Sequence, residues 1–187
     1  MPLLIVDKTP PNVPWEDTTP RKERTANDDY PTPQALADAI CLLLRDDPAF
    51  NLVPTVIIEP SAGAGNFVRA ARGAWPNVPV GACEINPAYR EPLTAIASHV
   101  VIGDWVDSVR NIAPVGKEPL LIIGNPPFKH AEAHIAAALT VVDTHPGSVL
   151  CFLLPLSFLG SAARARDFWP NVGMPNYLIP IAPRPQF

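Results

Sequence analysis

The sequence is poor in the features that mark secreted, metal-binding and membrane proteins. Its three cysteines, at positions 41, 83 and 151, are too few and too scattered for a disulfide framework or a cysteine-based zinc site. No apolar run approaches the roughly 18 residues of a membrane-spanning helix. The first residues have no basic segment followed by a long apolar stretch, so they do not resemble a secretory signal peptide. These absences predict a cytoplasmic protein with reduced cysteines and no membrane partner.

An excess of positive charge is also missing. The chain carries 14 Lys and Arg against 18 Asp and Glu, a formal net charge of −4 at pH 7. Such a balance does not attract nucleic acid to the whole surface, although a local basic groove is compatible with it. Of the 187 residues, 48% are hydrophobic, which is enough to form the core of one ordinary domain.

Proline, by contrast, is abundant and unevenly placed. Of 25 prolines, seven lie within the first 33 residues and five lie between positions 169 and 187. Proline has no N–H group and cannot continue a helix or a central strand. We therefore expect residues 1–29 to form an irregular, proline-rich arm and residues 30–187 to contain the folded domain, with an irregular C-terminal end.

Short apolar runs alternate with helical patterns along the folded domain. The runs lie at residues 55–58, 78–83, 99–102, 120–123 and 148–154, and the helical patterns at 33–46, 66–73, 88–98 and 131–142. Runs that are apolar throughout indicate strands covered on both faces. The alternation predicts an α/β fold, a Rossmann-like, doubly wound and mostly parallel sheet.

Acidic residues occur where the predicted strands end. Glu59 precedes a glycine-rich turn after the first strand, Glu84 follows the second and Asp104 follows the third. In such sheets ligands bind at the carboxyl ends of the strands, where an acidic residue about 20 positions past the glycines reaches ribose hydroxyls. Asp104 suits an exocyclic amine. The set predicts a nucleoside ligand with a cationic or amino end, whereas Val68 replaces the third glycine of the dinucleotide fingerprint.

Three segments resemble motifs of the class I S-adenosylmethionine-dependent methyltransferases. They are Tyr30-Pro31-Thr32-Pro33, Glu59-Pro60-Ser61-Ala62-Gly63-Ala64-Gly65 and Asn125-Pro126-Pro127-Phe128. The second is similar to the first cofactor motif of that family. The third resembles the catalytic motif of its amino-methyltransferases, above all the adenine-N6 DNA methyltransferases. The resemblance covers residues 30–160 and implies S-adenosyl-L-methionine as cofactor, with residues 30–187 as the catalytic domain.

The resemblance also implies roles for individual residues. The catalytic ones would be Asn125, Pro126, Pro127 and Phe128. The cofactor-binding ones would be Tyr30, Thr32, Pro33, Glu59, Pro60, Ser61, Ala62, Gly63, Gly65, Asn66, Phe67, Glu84, Ile85, Asp104, Trp105 and Asn125. Several of these have a structural alternative. Gly63 and Gly65 could merely form a tight turn, and the Asn-Pro-Pro-Phe segment could be an ordinary loop breaker. Thr32 could simply cap a helix, and Trp105 could simply pack in the core.

The Asn-Pro-Pro-Phe segment suits methyl transfer to an amine. The lone pair of an exocyclic amine is delocalised into its ring, which makes the nitrogen a poor nucleophile. Hydrogen bonds accepted by the Asn125 side chain and by a carbonyl near Pro126 favour a more tetrahedral nitrogen, and proline restricts the direction of such carbonyls. Phe128 can stack on an extruded base. No metal ion is expected, because His130, His134 and His145 have no third ligand cluster nearby and are expected to be solvated or to contact a partner.

Several functions remain open on the sequence alone. We expect methylation of adenine N6 in DNA, by an enzyme of phage or mobile-element type. The alternatives are methylation of RNA adenine or of a protein glutamine, and a catalytically idle cofactor-binding subunit of a larger methyltransferase.

The C-terminal part of the chain is short for an enzyme of this kind. Residues 156–187 contain one further strand pattern, at 177–181, and are too few for a separate DNA-reading domain. We therefore expect the C-terminal edge of the sheet to be incomplete. We also expect a homodimer or a partner subunit to supply recognition of the nucleic acid substrate, DNA being favoured over RNA.

Overall fold

Seven strands form one sheet in the computed structural model, which describes residues 3–5, 31–50, 52–112, 114 and 116–181, with residues 3–5 and 110 as backbone only. The strands are β1 (Leu3–Ile5), β2 (Val56–Glu59), β3 (Val80–Glu84), β4 (His99–Ile102), β5 (Leu120–Gly124), β6 (Val149–Phe152) and β7 (Tyr177–Leu178). Their order across the sheet is β4-β3-β2-β5-β6-β1-β7, and each pairing between neighbours is parallel. The predicted parallel α/β fold is confirmed.

The helices cover both faces of the sheet. They are α1 (Gln34–Asp46), α2 (Asn66–Ala74), α3 (Arg90–Thr94), α4 (Trp105–Ile112), α5 (Ala131–Val142), α6 (Ala162–Asp167) and α7 (Trp169–Val172). Alternate residues of a strand point to opposite faces. In β2, accordingly, Ile57 packs with α1 and α2, whereas Ile58 packs with α4 and α5. None of the helices in the described part of the chain is long and apolar enough to cross a membrane.

The strand order changes direction between β2 and β5: β3 and β4 follow on one side of β2, whereas β5 and β6 follow on the other. Numbered from the first central strand, β4-β3-β2-β5-β6 is the order 3-2-1-4-5 of doubly wound folds, which place ligands at this switch point. Ile58 of β2 is level with Ile122 of β5, so the two strands end side by side. The residues that follow them, Pro60 and Asn125, are thereby brought to the same edge of the sheet.

Strand β1 was not predicted. Leu3–Ile5 lies between β6 and β7, so the expectation of an irregular arm over residues 1–29 is wrong for these three residues. These three residues are a short apolar run that forms backbone hydrogen bonds with two neighbouring strands. The expectation of an irregular arm was based on the prolines of the whole segment. Residues 6–29 lie outside the described residues. The predicted strand at 177–181 forms over Tyr177–Leu178. No seventh strand was expected from the C-terminal part of the chain, and β1 is the seventh strand, next to β7.

Other differences are local. The helix predicted over 88–98 is shorter, a 3-10 turn at Pro87–Tyr89 followed by α3. Helix α4 had not been predicted, although Asp104 provides its start signal: the Asp104 Oδ1 accepts the Val106 N–H at 2.7 Å. An acidic side chain at this position satisfies an otherwise unpaired helical N–H group.

Candidate functional site

A cleft with a volume of about 260 Å³ lies at the carboxyl ends of β2, β3, β4 and β5. Its wall is completed by the segment before α1 and by the first turns of α5. The cleft brings together most of the predicted site residues: Thr32, Glu59, Pro60, Ser61, Ala62, Gly63, Asn66, Phe67, Glu84, Ile85, Asp104, Trp105, Asn125, Pro126, Pro127 and Phe128. Pro33 and Gly65 do not line it, and Tyr30 lies outside the described residues.

The two glycines of the turn after β2 have different surroundings. Gly63 has a φ of 48°, lines the cleft, and has no heavy atom within 4 Å of the position that a Cβ atom would take. Gly65, with a φ of 81°, is buried, and a Cβ there would lie 2.6 Å from the Ile96 Cδ1 and 3.1 Å from the Leu93 Cδ2. Of the two glycines, only Gly63 lines the cleft. Gly65 instead allows the turn to pack against α3, and its role as a cofactor contact stays a prediction.

Glu84 holds the glycine turn in place. Its Oε2 accepts the Gly63 N–H at 2.7 Å, and its Oε1 accepts the Asn86 N–H at 2.8 Å. The side chain is buried at the cleft wall. Since each carboxylate oxygen can accept more than one hydrogen bond, the group can still accept hydroxyl donors from a ligand.

Two further residues of the cleft wall, Asp104 and Ile85, are an acidic and an apolar group. Asp104 is exposed and uses its Oδ1 to cap α4. Ile85 is 62% exposed at the cleft wall, where a flat ligand would remove its side chain from water. Trp105 is 2% exposed and donates from its Nε1 to the His134 carbonyl at 3.3 Å, so packing between α4 and α5 accounts for this side chain.

Glu59 is the most unusual group in the cleft. It is 3% exposed, and its Oε2 has no hydrogen-bond partner among the described residues. Burial raises the pKa of this carboxyl well above its usual range, and the charge of Glu84 acts in the same direction, against the Val68 N–H and Arg69. A buried polar atom without a partner is costly, and a ligand that donates a hydrogen bond at this position would remove that cost.

Thr32 presents a second oxygen of this kind. Its side chain is 5% exposed, and the Oγ1 has no partner among the described residues. It does not cap α1, since Pro33 is the N-cap residue and no side-chain cap bond is formed there. Helix capping therefore does not account for Thr32, whereas a place in the cleft wall does.

A network around Arg69 fixes the segment before α1 to the glycine turn, and sequence reasoning missed it. The Arg69 guanidinium donates to the Gln34 Oε1 at 3.1 Å, to the Ala64 carbonyl at 2.9 Å and to the Asn66 Oδ1. The Asn66 Nδ2 in turn donates to the Thr32 carbonyl at 2.5 Å. The five residues of the network lie up to 37 positions apart along the chain (69 − 32), so only the packing of α1 on α2 reveals it.

The Asn-Pro-Pro-Phe segment meets the glycine turn at the switch point. A Cβ atom on Gly124 would lie 3.4 Å from the Pro60 Cδ and 3.6 Å from the Glu59 Cγ, so the ends of β5 and β2 are in close contact. Pro127 has φ −59° and ψ 125°, and its carbonyl accepts the His130 N–H at 2.9 Å. Phe128 is half-buried against the core beneath α4 and α5 and also lines the cleft.

Eight further lining residues were not among the predicted site residues: Pro31, Ala64, Asn86, Tyr89, Gly103, Lys129, His130 and His134. Of these, Lys129 and His130 are exposed and bring basic side chains to the cleft beside Phe128. Ala64 and Pro31 belonged to the motifs already singled out, and Lys129 and His130 directly follow one.

The prediction that the histidines are solvated or contact a partner is wrong for His134 and His145, which are buried at 6% and 5% exposure. The His134 Nδ1 lies 3.0 Å from the His130 carbonyl, and burial lowers the pKa of His134. The spacing of four residues between His130 and His134 was the signal in the sequence that these two residues contact each other. Among the described residues no three His, Cys, Asp or Glu side chains form a group that could hold a metal ion.

Comparison with known proteins gives no assignment: no protein-family model matches the chain, and no match among curated proteins was found.

Proposed function

We propose that the chain is an S-adenosylmethionine-dependent methyltransferase that methylates an exocyclic amine, with adenine N6 in DNA as the favoured target. One observation carries the proposal: the glycine turn and the Asn-Pro-Pro-Phe segment, separated by 60 positions in the chain (125 − 65), form adjacent walls of one cleft at the switch point of a doubly wound sheet. We assign the sheet to the class I methyltransferase type on the same ground.

The residues of the cleft fit an adenosyl ligand. Glu84, fixed by two backbone N–H groups, would accept the ribose hydroxyls. Asp104 would accept the adenine amino group, and the exposed Ile85 side chain would cover a face of the adenine ring. Gly63 would allow the ligand to approach the backbone. The buried oxygens of Glu59 and Thr32 remain for the amino acid end of the ligand.

Asn125 would bind the substrate amine. When bound, the cofactor supplies an electrophilic methyl group on a sulfonium. The Asn125 side chain and a carbonyl near Pro126 would accept the two N–H groups of the amine and hold its lone pair in line with that methyl group. Positioning of this kind supplies most of the rate in a displacement that needs no covalent enzyme intermediate. The two prolines fix the backbone direction, since Pro127 adopts the extended conformation that its ring permits.

The surroundings of the catalytic segment favour nucleic acid over protein. Phe128 supplies an aromatic surface at the cleft, suited to stacking on a base turned out of its strand. Lys129 and His130 place basic groups next to it on a chain whose net charge is negative. A local basic site of this kind attracts phosphates where the overall charge does not. Recognition of a target sequence would come from a partner or a second copy of the chain.

A methyl-transfer assay tests the proposal. The purified chain is incubated with S-adenosylmethionine labelled on its methyl group and with separate pools of DNA, RNA and protein. We expect label in DNA, recovered as N6-methyladenine after digestion. Label in RNA or in protein glutamine would keep the chemistry and change the substrate. Binding of the cofactor without transfer to any pool would indicate the idle subunit, and a preference for NAD would contradict the cofactor assignment.

A further inference from the structure

The cleft contains two buried oxygens that lack hydrogen-bond donors. The Glu59 Oε2 and the Thr32 Oγ1 are both without a partner among the described residues, and both side chains line the cleft at 3% and 5% exposure. The other side of the Glu59 carboxyl is in place, since it receives the Val68 N–H and packs against Gly124, with the Glu59 Oε1 3.8 Å from the position of a Gly124 Cβ. Once the carboxyl is ionised, its Oε2 therefore offers a buried acceptor to a donor on the ligand.

The groups around Glu59 do not neutralise its charge. From β3, Glu84 adds a second carboxyl in the same cleft. From α2, Arg69 faces Glu59, but its guanidinium is bonded to Gln34, Ala64 and Asn66.

The third neighbouring element, α1, contributes a neutral group next to Glu59. From α1, Cys41 is buried, and burial together with Glu59 raises the pKa of this thiol to about 12, so it stays neutral. Because burial dominates, the pKa of Glu59 lies well above its ordinary range. The carboxyl therefore tends to hold a proton while no ligand cation is present.

We propose that the ammonium group of the ligand's amino acid end displaces this proton, so that cofactor binding releases a proton from Glu59 to solvent. The inference rests on the proposed function. In the balance of the step, the Glu59 O–H bond breaks and its proton leaves to water, the ammonium keeps its own protons, and one of its N–H groups bonds to the resulting carboxylate. Thr32 accepts a second N–H from the same ammonium. The charge next to the Glu59 carboxyl stays balanced, since an ammonium group arrives there as a proton leaves.

The coupling has two consequences. Protons compete with the ligand below the pKa that Glu59 has in the empty cleft, so the apparent affinity falls up to tenfold for each pH unit toward acid. Ligands without an amino acid end cannot displace the proton, and their affinity is independent of this group. Glu59 thus discriminates between adenosyl compounds that carry a free ammonium and those that lack it.

Isothermal titration calorimetry in two buffers of different ionisation enthalpy measures the number of protons that are released when a ligand binds. We expect S-adenosylmethionine and S-adenosylhomocysteine each to release protons, up to one per site at the acid end of the titrated range and fewer as the pH is raised. Methylthioadenosine, which has no amino acid end, should release none. Glu59→Gln, which mimics the protonated carboxyl, should release none with any of the three, whereas Asp46→Asn, at an exposed carboxyl on α1, should behave as the unsubstituted chain.

The outcomes separate the inference from the proposed function. Binding of S-adenosylhomocysteine without proton release, or equal release by Glu59→Gln or by methylthioadenosine, overturns the inference alone. Release with S-adenosylmethionine but not with S-adenosylhomocysteine assigns the effect to the sulfonium and overturns the ammonium contact. If Glu59→Gln does not fold, the pH dependence of the two neutral-sulfur ligands decides. If the affinities for S-adenosylhomocysteine and methylthioadenosine depend on pH in the same way, the inference is contradicted. If the chain binds none of the three ligands, the proposed function itself is contradicted.

Discussion

Two alanine substitutions in the glycine turn should separate ligand binding from stability. Both Gly63→Ala and Gly65→Ala place an L residue at positive φ, 48° and 81°, which costs about 1–2 kcal/mol. At Gly63 no atom obstructs the new methyl group, so we expect no further loss of stability. At Gly65 the methyl group would lie 2.6 Å from the Ile96 Cδ1 and 3.1 Å from the Leu93 Cδ2, and such overpacking adds about 1–3 kcal/mol.

Gly63→Ala, which should lose less stability than Gly65→Ala, should lose more ligand affinity. Gly63 lines the cleft and its N–H donates to Glu84, so a side chain at this position lies where the ligand is proposed to contact the backbone of the turn. We expect the affinity of Gly63→Ala for S-adenosylhomocysteine to fall at least tenfold, about 1.4 kcal/mol. Gly65→Ala should retain more of the affinity in whatever fraction remains folded, since Gly65 does not line the cleft.

Urea unfolding gives the two free energies of unfolding, and calorimetric titration at low temperature gives the two affinities. The total expected loss of stability is about 1–2 kcal/mol for Gly63→Ala and about 2–5 kcal/mol for Gly65→Ala. Unchanged affinity in Gly63→Ala, together with a Gly65→Ala variant as stable as the parent, would refute this description of the turn.

Three further predictions concern other parts of the molecule. Because the folded pKa of Glu59 is raised, stability from its protonated form is present below the unfolded pKa and lost as the pH rises through the folded one. Glu59→Gln should therefore raise the melting temperature at pH 8 and leave it unchanged near pH 4, and a gain of equal size at both pH values would contradict this. Phe128→Ala should raise KM for DNA by roughly tenfold, since stacking on a base contributes about 1–3 kcal/mol, while Phe128→Tyr should keep KM near that of the parent. An equal effect of both would exclude stacking. Deletion of residues 1–5 should lower the melting temperature, because β1 joins β6 to β7, and an unchanged value would show that this strand adds no stability.

The central sheet could be predicted because its signals are local. Strands β2 to β6 are apolar runs that need no knowledge of their partners, and helices α2 and α5 between them carry their own periodic patterns. The parallel arrangement then places the ends of the strands at one edge, which is why Glu84, Asp104 and Asn125 could be assigned to one cleft.

What the sequence could not indicate depends on non-local packing. Strand β1 has three residues and forms only between β6 and β7, which are separated from it by most of the chain. The hydrogen bonds of Arg69 require α1 to lie against α2. Gly63 and Gly65 look equivalent in the sequence, and only the direction of the turn decides that one faces the cleft and the other faces Ile96.

The burial of polar groups was equally hard to foresee. Glu59 appeared as one acidic residue among several at strand ends, yet it is far more buried than the exposed Asp104. The difference arises because β2 is central in the sheet and is covered on both sides, whereas β4 lies at its edge. Position in the sheet, which cannot be read from the sequence, is therefore the reason that the Glu59 carboxyl is buried and its pKa is raised.

The most direct test of the methyltransferase assignment is the comparison of the parent chain with Asn125→Ala, in cofactor affinity and in single-turnover methyl transfer to adenine-containing DNA. Since Asn125 is proposed to bind the amine in the transition state, the substitution should leave the affinity for S-adenosylmethionine within about twofold and lower turnover by roughly a hundredfold or more, about 3 kcal/mol. Near-normal turnover in Asn125→Ala would contradict the mechanism, and a loss of transfer that only parallels a loss of cofactor binding would assign Asn125 to the structure of the cleft instead.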